Sequence, residues 1–540
     1  MDAIFTSLTL LTIVVLSGIV GRITALPVPR PLVQIAFGAI AGLIPLLEVD
    51  LEPEVFFLLL VPPLLFIDGW RISTDELVRD RWQILHMAFG LVVVTVLVIG
   101  TFIAWLVPAL PAGVAFALAA ALAPTDPISV TSIARRVPIP QRMMNLLHAE
   151  SLLNDATGLI CLSFAVVFIL AGSFSIGSAS ASFLWVAGAG LAIGFGITLA
   201  IVRAKTWVVT RIGEDPGTQI VVSLLIPFIA YLLAEAASAS GLFAAVAAGV
   251  TMARAEATGL ALGATRIQRT AVWDSVQFVA NGIVFVLLGE QLPKIVASAQ
   301  ASVSQTGHHS LWWPLLLITV IYTAMLILRA IWVWISVILS RRHASQNTMP
   351  VWRLVAATTM AGSRGAITFA GILTLPVLLS SGEALEDRDL VILIAMGVIV
   401  LSLVMAAISL PLLLRSGPTL PSQDLTADRI ARTATATAAL AEIGRISDLH
   451  ATPDSEAETY VAAAAQVSRR YLQRLETIGQ QSEEDPVKLS NNQILQEIQL
   501  AAVRAERQAV FKMRRKKTVG AVMARRMVRE LDLLEAHYEI

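Results

Sequence analysis

Residues 111–133 read PAGVAFALAAALAPTDPISVTSI, an apolar run interrupted by Pro124, Thr125, Asp126 and Pro127. The run opens as one crossing of a bilayer core about 30 Å thick, which takes roughly 20 apolar residues. The break changes that reading, because each proline withholds a main-chain donor and a carboxylate cannot face lipid. Irregular backbone at membrane depth is tolerated only where protein or a water-lined cavity surrounds it. A second interruption of this kind lies in residues 353–380, RLVAATTMAGSRGAITFAGILTLPVLLS, at Gly362, Ser363, Arg364 and Gly365.

The surrounding composition agrees with a lipid solvent. Of the 540 residues, 56% are hydrophobic and 14% charged, with mean hydropathy +0.75, which is too apolar for an ordinary soluble domain. Charged side chains crowd after Arg415, so the chain divides into a transmembrane domain, residues 1–415, and a polar tail, residues 416–540. A net charge of zero gives no argument for nucleic acid, and the basic run Lys512 to Lys517 belongs to the tail alone. The lone Cys161 excludes a disulfide framework and a cysteine metal site. The first twenty residues have neither a basic start nor a small-residue cleavage site, and they read as a retained first span.

Hydropathy and length give about thirteen candidate spans. They lie near residues 3–20, 30–47, 53–69, 83–107, 111–133, 145–171, 183–203, 217–237, 241–255, 273–291, 312–339, 353–380 and 388–414. Every second loop is basic: Arg22 and Arg30; Arg71, Arg79 and Arg81; Arg135, Arg136 and Arg142; Arg203, Lys205 and Arg211; Arg254, Arg266 and Arg269; Arg341, Arg342 and Arg353. The loops between are acidic or neutral, as at Glu48 to Glu54 and Glu383 to Asp389. The positive-inside tendency then places the N-terminus outside and the tail in the cytoplasm. The breaks fall in the fifth and twelfth spans, an odd offset that reverses orientation between them. The expected fold is therefore all-α: spans 1–6 and 8–13 as an inverted repeat around a linking seventh, with a helical cytoplasmic tail. Interrupted helices at matching places of two inverted halves point to a transport site near the midplane.

An ionisable group at mid-membrane costs about 2.5–3.5 kcal/mol on insertion scales, so each needs a partner or a function. The sixth span carries His148, Ala149, Glu150, Ser151, Leu152, Leu153, Asn154, Asp155 and Ala156. On a helix, Glu150 and Asn154 share one face at i, i+4, and Ser151 and Asp155 occupy the adjoining strip. These groups, with a carbonyl freed by the break at Thr125, are hard oxygens that suit a small cation. A buried carboxyl group favours its neutral form and a bound cation favours the ionised one, so Asp155 holds a proton or Na⁺ but not both. Arg329 has no charged neighbour in its own span, and Glu150 is its expected partner in a structural pair. Arg364 is expected either to neutralise converging helix ends or to offset Asp126 when the site is empty. Asp68 and Glu290 lie near span ends, where they read as solvated groups, with direct ion binding by either as the alternative.

Four segments, Pro62 to Gly69 (PPLLFIDG), Leu122 to Ser129 (LAPTDPIS), Glu150 to Gly158 (ESLLNDATG) and Ser363 to Thr368 (SRGAIT), resemble signatures of the monovalent cation:proton antiporters. The match is to the branch of Na⁺/H⁺ exchangers and their bacterial relatives and covers roughly residues 1–415. The resemblance implies a homodimer whose six-helix core moves against a dimerisation domain, with the broken helices crossing beside Asn154 and Asp155. It implies monovalent Na⁺ ligation by Asp155, Ser151, Asp126 and Thr125, a stabilising pair of Glu150 with Arg329, and a part for Asn154 beside the exchanging carboxylate. Asn at 154 is similar to the electroneutral members. The expected activity is exchange of Na⁺, with Li⁺ or K⁺ as alternatives, for H⁺ across the plasma membrane in the service of cytoplasmic pH.

No cofactor is expected beyond the transported Na⁺ and H⁺, and the bilayer is the expected surroundings. A K⁺/H⁺ antiporter is a rival, and so is a channel or transport-dead ion sensor signalling through the tail. An enzyme is disfavoured, since no nucleotide-binding glycine loop, histidine metal cluster or nucleophile with its base is present. In the tail, Glu456 to Thr477 and Asn492 to His537 have helical composition, with Val461, Val467, Tyr471, Leu472 and Leu475 at three- and four-residue spacing. They read as a regulatory or dimer-supporting domain or as a solvated extension, and the basic stretch Arg504 to Arg529 as able to rest on anionic lipid.

Overall fold

The computed structural model describes residues 2–23, 28–44, 53–72, 81–127, 130–132, 141–171, 176–256, 263–305, 312–340, 350–376, 385, 388–414, 422–449, 455–479 and 492–539. Arg79, Arg135, Arg136, Arg341 and Arg342, and most of the acidic loops at 48–54 and 383–389, lie outside the described residues. Within the described residues the protein is all-α, with nineteen α-helices, one π turn and no strand.

The helices are α1 (Asp2–Ile23), α2 (Arg30–Gly42), α3 (Pro53–Arg71), α4 (Arg81–Leu85) running through a π turn (His86–Gly90) into α5 (Leu91–Leu106), and α6 (Ala112–Leu122). There follow α7 (Gln141–Ala171), α8 (Ile176–Ile212), α9 (Pro216–Ala236), α10 (Gly241–Glu256) and α11 (Gly263–Gln305). The remaining apolar elements are α12 (Trp312–Ser340), α13 (Val351–Met360), α14 (Ala366–Leu373) and α15 (Arg388–Leu414). The tail supplies α16 (Ser422–Leu449), α17 (Ser455–Gly479), α18 (Asn492–Arg515) and α19 (Ala521–Glu539). Seven of the described helices are long and apolar enough to cross a membrane, and Phe5–Gly21 and Ala112–Leu122 are shorter apolar stretches.

Two packing groups meet at the centre. In the first, α2 lies on α11 and α3 on α10 at backbone contact. A Cβ on Gly38 would overlap the Val286 carbonyl, one on Gly289 the Ile35 carbonyl and one on Gly249 the Phe66 carbonyl. Lipid tails are as apolar as the side chains, so association between such helices comes from this close main-chain approach and its dispersion contacts. The second group packs α5 and α7 on α6, and α12 and α13 on α15. Its middle is nearly solvent-free: Val114, Leu118, Ala120, Phe369, Ile394 and Ile399 are all buried.

Both expected breaks are present. Helix α6 ends at Leu122 and residues 124–126 have no regular structure; α13 ends at Met360, residues 362–365 are irregular, and α14 begins at Ala366. The two irregular segments bind each other through main chain, with Asp126 N–H donating to the Ser363 carbonyl at 2.7 Å and the Ser363 hydroxyl to the Asp126 carbonyl at 2.9 Å. Buried main-chain groups that lose their helical partners must find others, and here each break supplies the other.

The tail is a helical bundle with its own core, in which Ala439 and Ile443 of α16, Val467 and Tyr471 of α17, and Ile498 and Ala502 of α18 pack together. Its last helix, α19, lies on the start of α11. There Arg266 Nε bonds Asp532 Oδ2 at 2.9 Å and its Nη2 bonds Oδ1; Arg507 and Arg504 both bond Glu535. Arg525 donates to the Arg71 carbonyl at the end of α3. The tail therefore holds two helices of the first membrane group, an attachment that its composition alone did not signal.

Candidate functional site

Asp155 and Ser151 project from α7 one turn apart, with the Ser151 hydroxyl 3.5 Å from Asp155 Oδ2. They share one small cavity with Thr125 and Asp126 from the first break and Gly365 and Thr368 from the second. Its volume of about 20 Å³ suits one water-sized body or a bare alkali cation. Asp155 is 4% exposed, so the carboxyl group faces little other than this space. The four residues named from sequence as cation ligands thus meet in one place, on the oxygen chemistry that suits a hard monovalent ion.

The remaining site residues lie behind that wall. Glu150 is 0% exposed and receives a two-pronged contact from Arg329, Nη1 to Oε1 at 2.5 Å and Nη2 to Oε2 at 3.1 Å, so the pair expected from sequence is formed. The guanidinium rests against Gly362, where a Cβ would overlap it, so the glycine of the second break makes room for the pair. Asn154 Nδ2 donates to Thr125 Oγ1 at 2.8 Å, and that hydroxyl lies 3.4 Å from Glu150 Oε1. The Thr125 hydroxyl is therefore committed to the Asn154–Glu150–Arg329 network. Its carbonyl accepts no main-chain hydrogen bond among the described residues, and that oxygen is the one it has to offer an ion. Asn154 braces this network and does not line the cavity.

Charges at the crossing are ordered by the helix ends. Arg364 Nε bonds the carbonyl of Leu122, the last residue of α6, at 3.0 Å, and its Nη1 bonds the Gly362 carbonyl at 2.5 Å. A cation on carbonyls at a helix C-terminus is the favourable arrangement. Of the two places expected for Arg364, the helix ends are the one it occupies. Asp126 sits at the opposite pole: its carboxylate fills the volume that a side chain on Gly365 would need, at the N-terminus of α14, where negative charge is favoured.

Sequence reading missed part of the cavity wall. Gln277 and Asn281 reach it from α11 and Leu64 and Asp68 from α3, so the first membrane group forms the wall facing Asp155. Gln277 also accepts from Arg71 Nη1, and Arg71 pairs with Asp274. An i, i+4 amide pair in an otherwise apolar span was the available signal, the same spacing used for Glu150 and Asn154. Asp68, weighed from sequence as either solvated or ion-binding, lines the cavity; Glu290, weighed in the same way, is not solvated but buried, and accepts from Gln291. No cluster of three or more His, Cys, Asp or Glu side chains suited to a bound metal occurs among the described residues.

Apolar helices, two broken segments that bind each other, and a buried carboxylate cavity at their junction together define a membrane carrier of small ions. The chain belongs to the sodium/hydrogen exchanger family, whose transmembrane model matches residues 9–416, and it is a cation/proton antiporter. It is 36% identical over 543 residues to an uncharacterised Na⁺/H⁺ exchanger, YjcE, of Escherichia coli (strain K12), covering 99% of each chain. It is 38% identical over 418 residues to the sodium, potassium, lithium and rubidium/H⁺ antiporter of Bacillus pumilus (strain SAFR-032), covering 76% of this chain and 61% of that one. Its fold is similar to that of the sodium proton antiporter MjNhaP1 from Methanocaldococcus jannaschii, with a TM-score of 0.59 at 18% identity over 77% of this chain and 99% of that one.

Proposed function

We propose that this antiporter exchanges one Na⁺ for one H⁺ across the plasma membrane by alternating access, the two ions competing for Asp155. The observation that carries the reading is the meeting of Asp155, Ser151, Asp126 and Thr125 around one cation-sized cavity between the two packing groups. A carboxylate that is ionised around Na⁺ and neutral around H⁺ carries the same charge across in both directions, and Asn154 adds no second acid beside it. Movement of the α6, α7, α13 and α14 group past the wall made by α3 and α11 would open the cavity to each face in turn. The thirteen-span inverted repeat, the homodimer, an outside N-terminus and a cytoplasmic tail at 416–540 belong to the same proposal, the orientation resting on the alternation of basic loops.

A second reading, antiport of several alkali cations including K⁺, is favoured by the name of the 38% identical Bacillus pumilus relative. Everted vesicles holding the protein and an acid-loaded lumen separate the two. The first reading expects lumenal pH to recover on adding Na⁺ or Li⁺ and to stay low with K⁺. Recovery with K⁺ and none with Na⁺ or Li⁺ overturns the sodium assignment, and recovery with all three establishes the broader one.

The tail contact yields a prediction of its own. Burial tends to raise the Glu535 carboxyl, but Arg507 and Arg504 outweigh it and hold the group below the ordinary glutamate range. A depressed value means that the contact's stabilisation is complete above the unfolded glutamate value, about 4.3, and is lost only as pH falls through the lower folded value. The pairing of α19 with α18 inside the tail is therefore formed at any cytoplasmic pH. Asp532→Asn, which weakens the paired bonds to Arg266 that hold the tail on α11, is expected to raise protease cleavage between tail and membrane domain by about tenfold. Unchanged cleavage in limited proteolysis of membranes contradicts the docked arrangement.

A further inference from the structure

Thr368 lies on the wall of the ion cavity, 1% exposed, and its hydroxyl has no hydrogen-bond partner among the described residues. Thr101, Thr157, Thr251 and Thr319 satisfy their hydroxyls by donating to the carbonyl four residues back, whereas Thr198, Thr265, Thr359 and Thr368 are buried with no hydroxyl partner among the described residues, and of these four Thr368 lines the ion cavity. Thr368 makes no such bond among the described residues. The residue four back is Arg364, which lies in the break, before α14 starts at Ala366. A buried polar group left unpaired is costly, and such groups in native structures call for a specific explanation. Here an explanation is at hand, because Thr368 lines the cavity that also holds Asp155.

We infer that Thr368 is a cation ligand supplied by the second broken helix, an inference that rests on the exchange site proposed above. The arrangement around it fits. A hydroxyl oxygen is a hard neutral donor of the kind alkali cations take. The unfavourable positive end of α14 is offset on the spot by the Asp126 carboxylate, which overlies Gly365. The Thr125 hydroxyl is spent on Asn154 and Glu150, so Thr368 supplies the threonine hydroxyl that the cavity otherwise lacks. With it, both irregular segments grip one ion: Thr125 and Asp126 from the first, Thr368 from just beyond the second, with Ser151 and Asp155 of α7 between. Across the cavity, Asn281 of α11 is 8% exposed and lines the same space, so the facing wall carries a further neutral polar side chain. Neutral ligands add coordination without charge, so Thr368 tunes which alkali cation fits rather than whether a cation exchanges for a proton.

The test uses full-length protein in liposomes, comparing wild type, Thr368→Val, Thr368→Ser and Asp155→Asn for Na⁺-, Li⁺- and K⁺-driven proton flux. Thr368→Val keeps the shape and removes the oxygen. It is expected to raise the KM for Na⁺ about tenfold, to change the ratio of KM for K⁺ to that for Na⁺ by at least about threefold, and to leave Vmax within about twofold. Thr368→Ser keeps the oxygen and is expected to stay within about twofold of wild type in every KM. The thermal shift given by Na⁺ in detergent should shrink in the valine variant and persist in the serine variant. Unchanged KM values for all three cations in Thr368→Val, or a loss confined to Vmax with a lower melting midpoint, overturn the ligand role and leave the exchange site standing. Were Thr368→Val not to fold, Thr368→Ala gives the same comparison. Exchange that survives in Asp155→Asn refutes the underlying site, and the Thr368 assignment with it.

Discussion

Asp155→Asn is expected to reduce Na⁺-driven proton flux in proteoliposomes to the leak of protein-free liposomes while the protein still purifies as a folded species. Asparagine matches the carboxylate in shape and can still bond Ser151, but it can neither take up a proton nor neutralise Na⁺. Both half-reactions of the exchange fail together. Stability should not suffer, because Asp126 and Asp68 line the same cavity and removing one of three clustered acids relieves repulsion. The melting midpoint of the variant is expected within about 3 °C of wild type. A variant that is inactive only because it is misfolded would show a broadened or lowered transition, which differential scanning fluorimetry resolves.

Glu150→Ala should behave in the opposite sense, losing stability as well as transport. It strands the Arg329 guanidinium at 2% exposure with its principal partner gone. Breaking a buried pair from one side costs about 3–5 kcal/mol, since the remaining charge has neither water nor counter-charge. A fall in melting midpoint on the order of 5–15 °C follows. The same loss releases Thr125 and, through it, the Asn154 amide, so the first break should lose its geometry. The double variant Glu150→Gln with Arg329→Met is expected to recover part of the stability, because no unpaired charge is left. If the single variant melted with wild type, the pair would contribute nothing to the fold.

What could be read from the amino acids follows from how costly each feature is in lipid. Carboxylates and guanidinium groups in apolar runs are expensive enough to stand out, so Glu150, Asp155, Asp126, Arg329 and Arg364 were all identifiable, and Glu150 was the natural partner for an otherwise isolated arginine. Proline and glycine placed both breaks to within a few residues. Neutral groups gave weaker signals. Thr368 and Asn281 carry no charge to set them apart from other polar residues of the spans, and their importance comes from lining a cavity whose existence depends on the packing of α3, α7, α11 and the two breaks. Which helix end each charge would serve was also beyond sequence: the contact of Asp126 with α14 and of Arg364 with α6 depends on how the breaks bind each other. The docking of α19 on α11 through Arg266 and Asp532 joins residues far apart in the chain, and nothing local to either position marks the pairing.

Competition between cation and proton at position 155 is the claim on which the rest depends, and the pH dependence of the cation KM tests it most directly. If both ions use that carboxylate, the KM for Na⁺ in wild-type proteoliposomes rises about tenfold for each unit of acidification on the acid limb, because every bound cation must displace a proton. A KM for Na⁺ that stayed constant across the same acid range, with exchange still running, would contradict the mechanism.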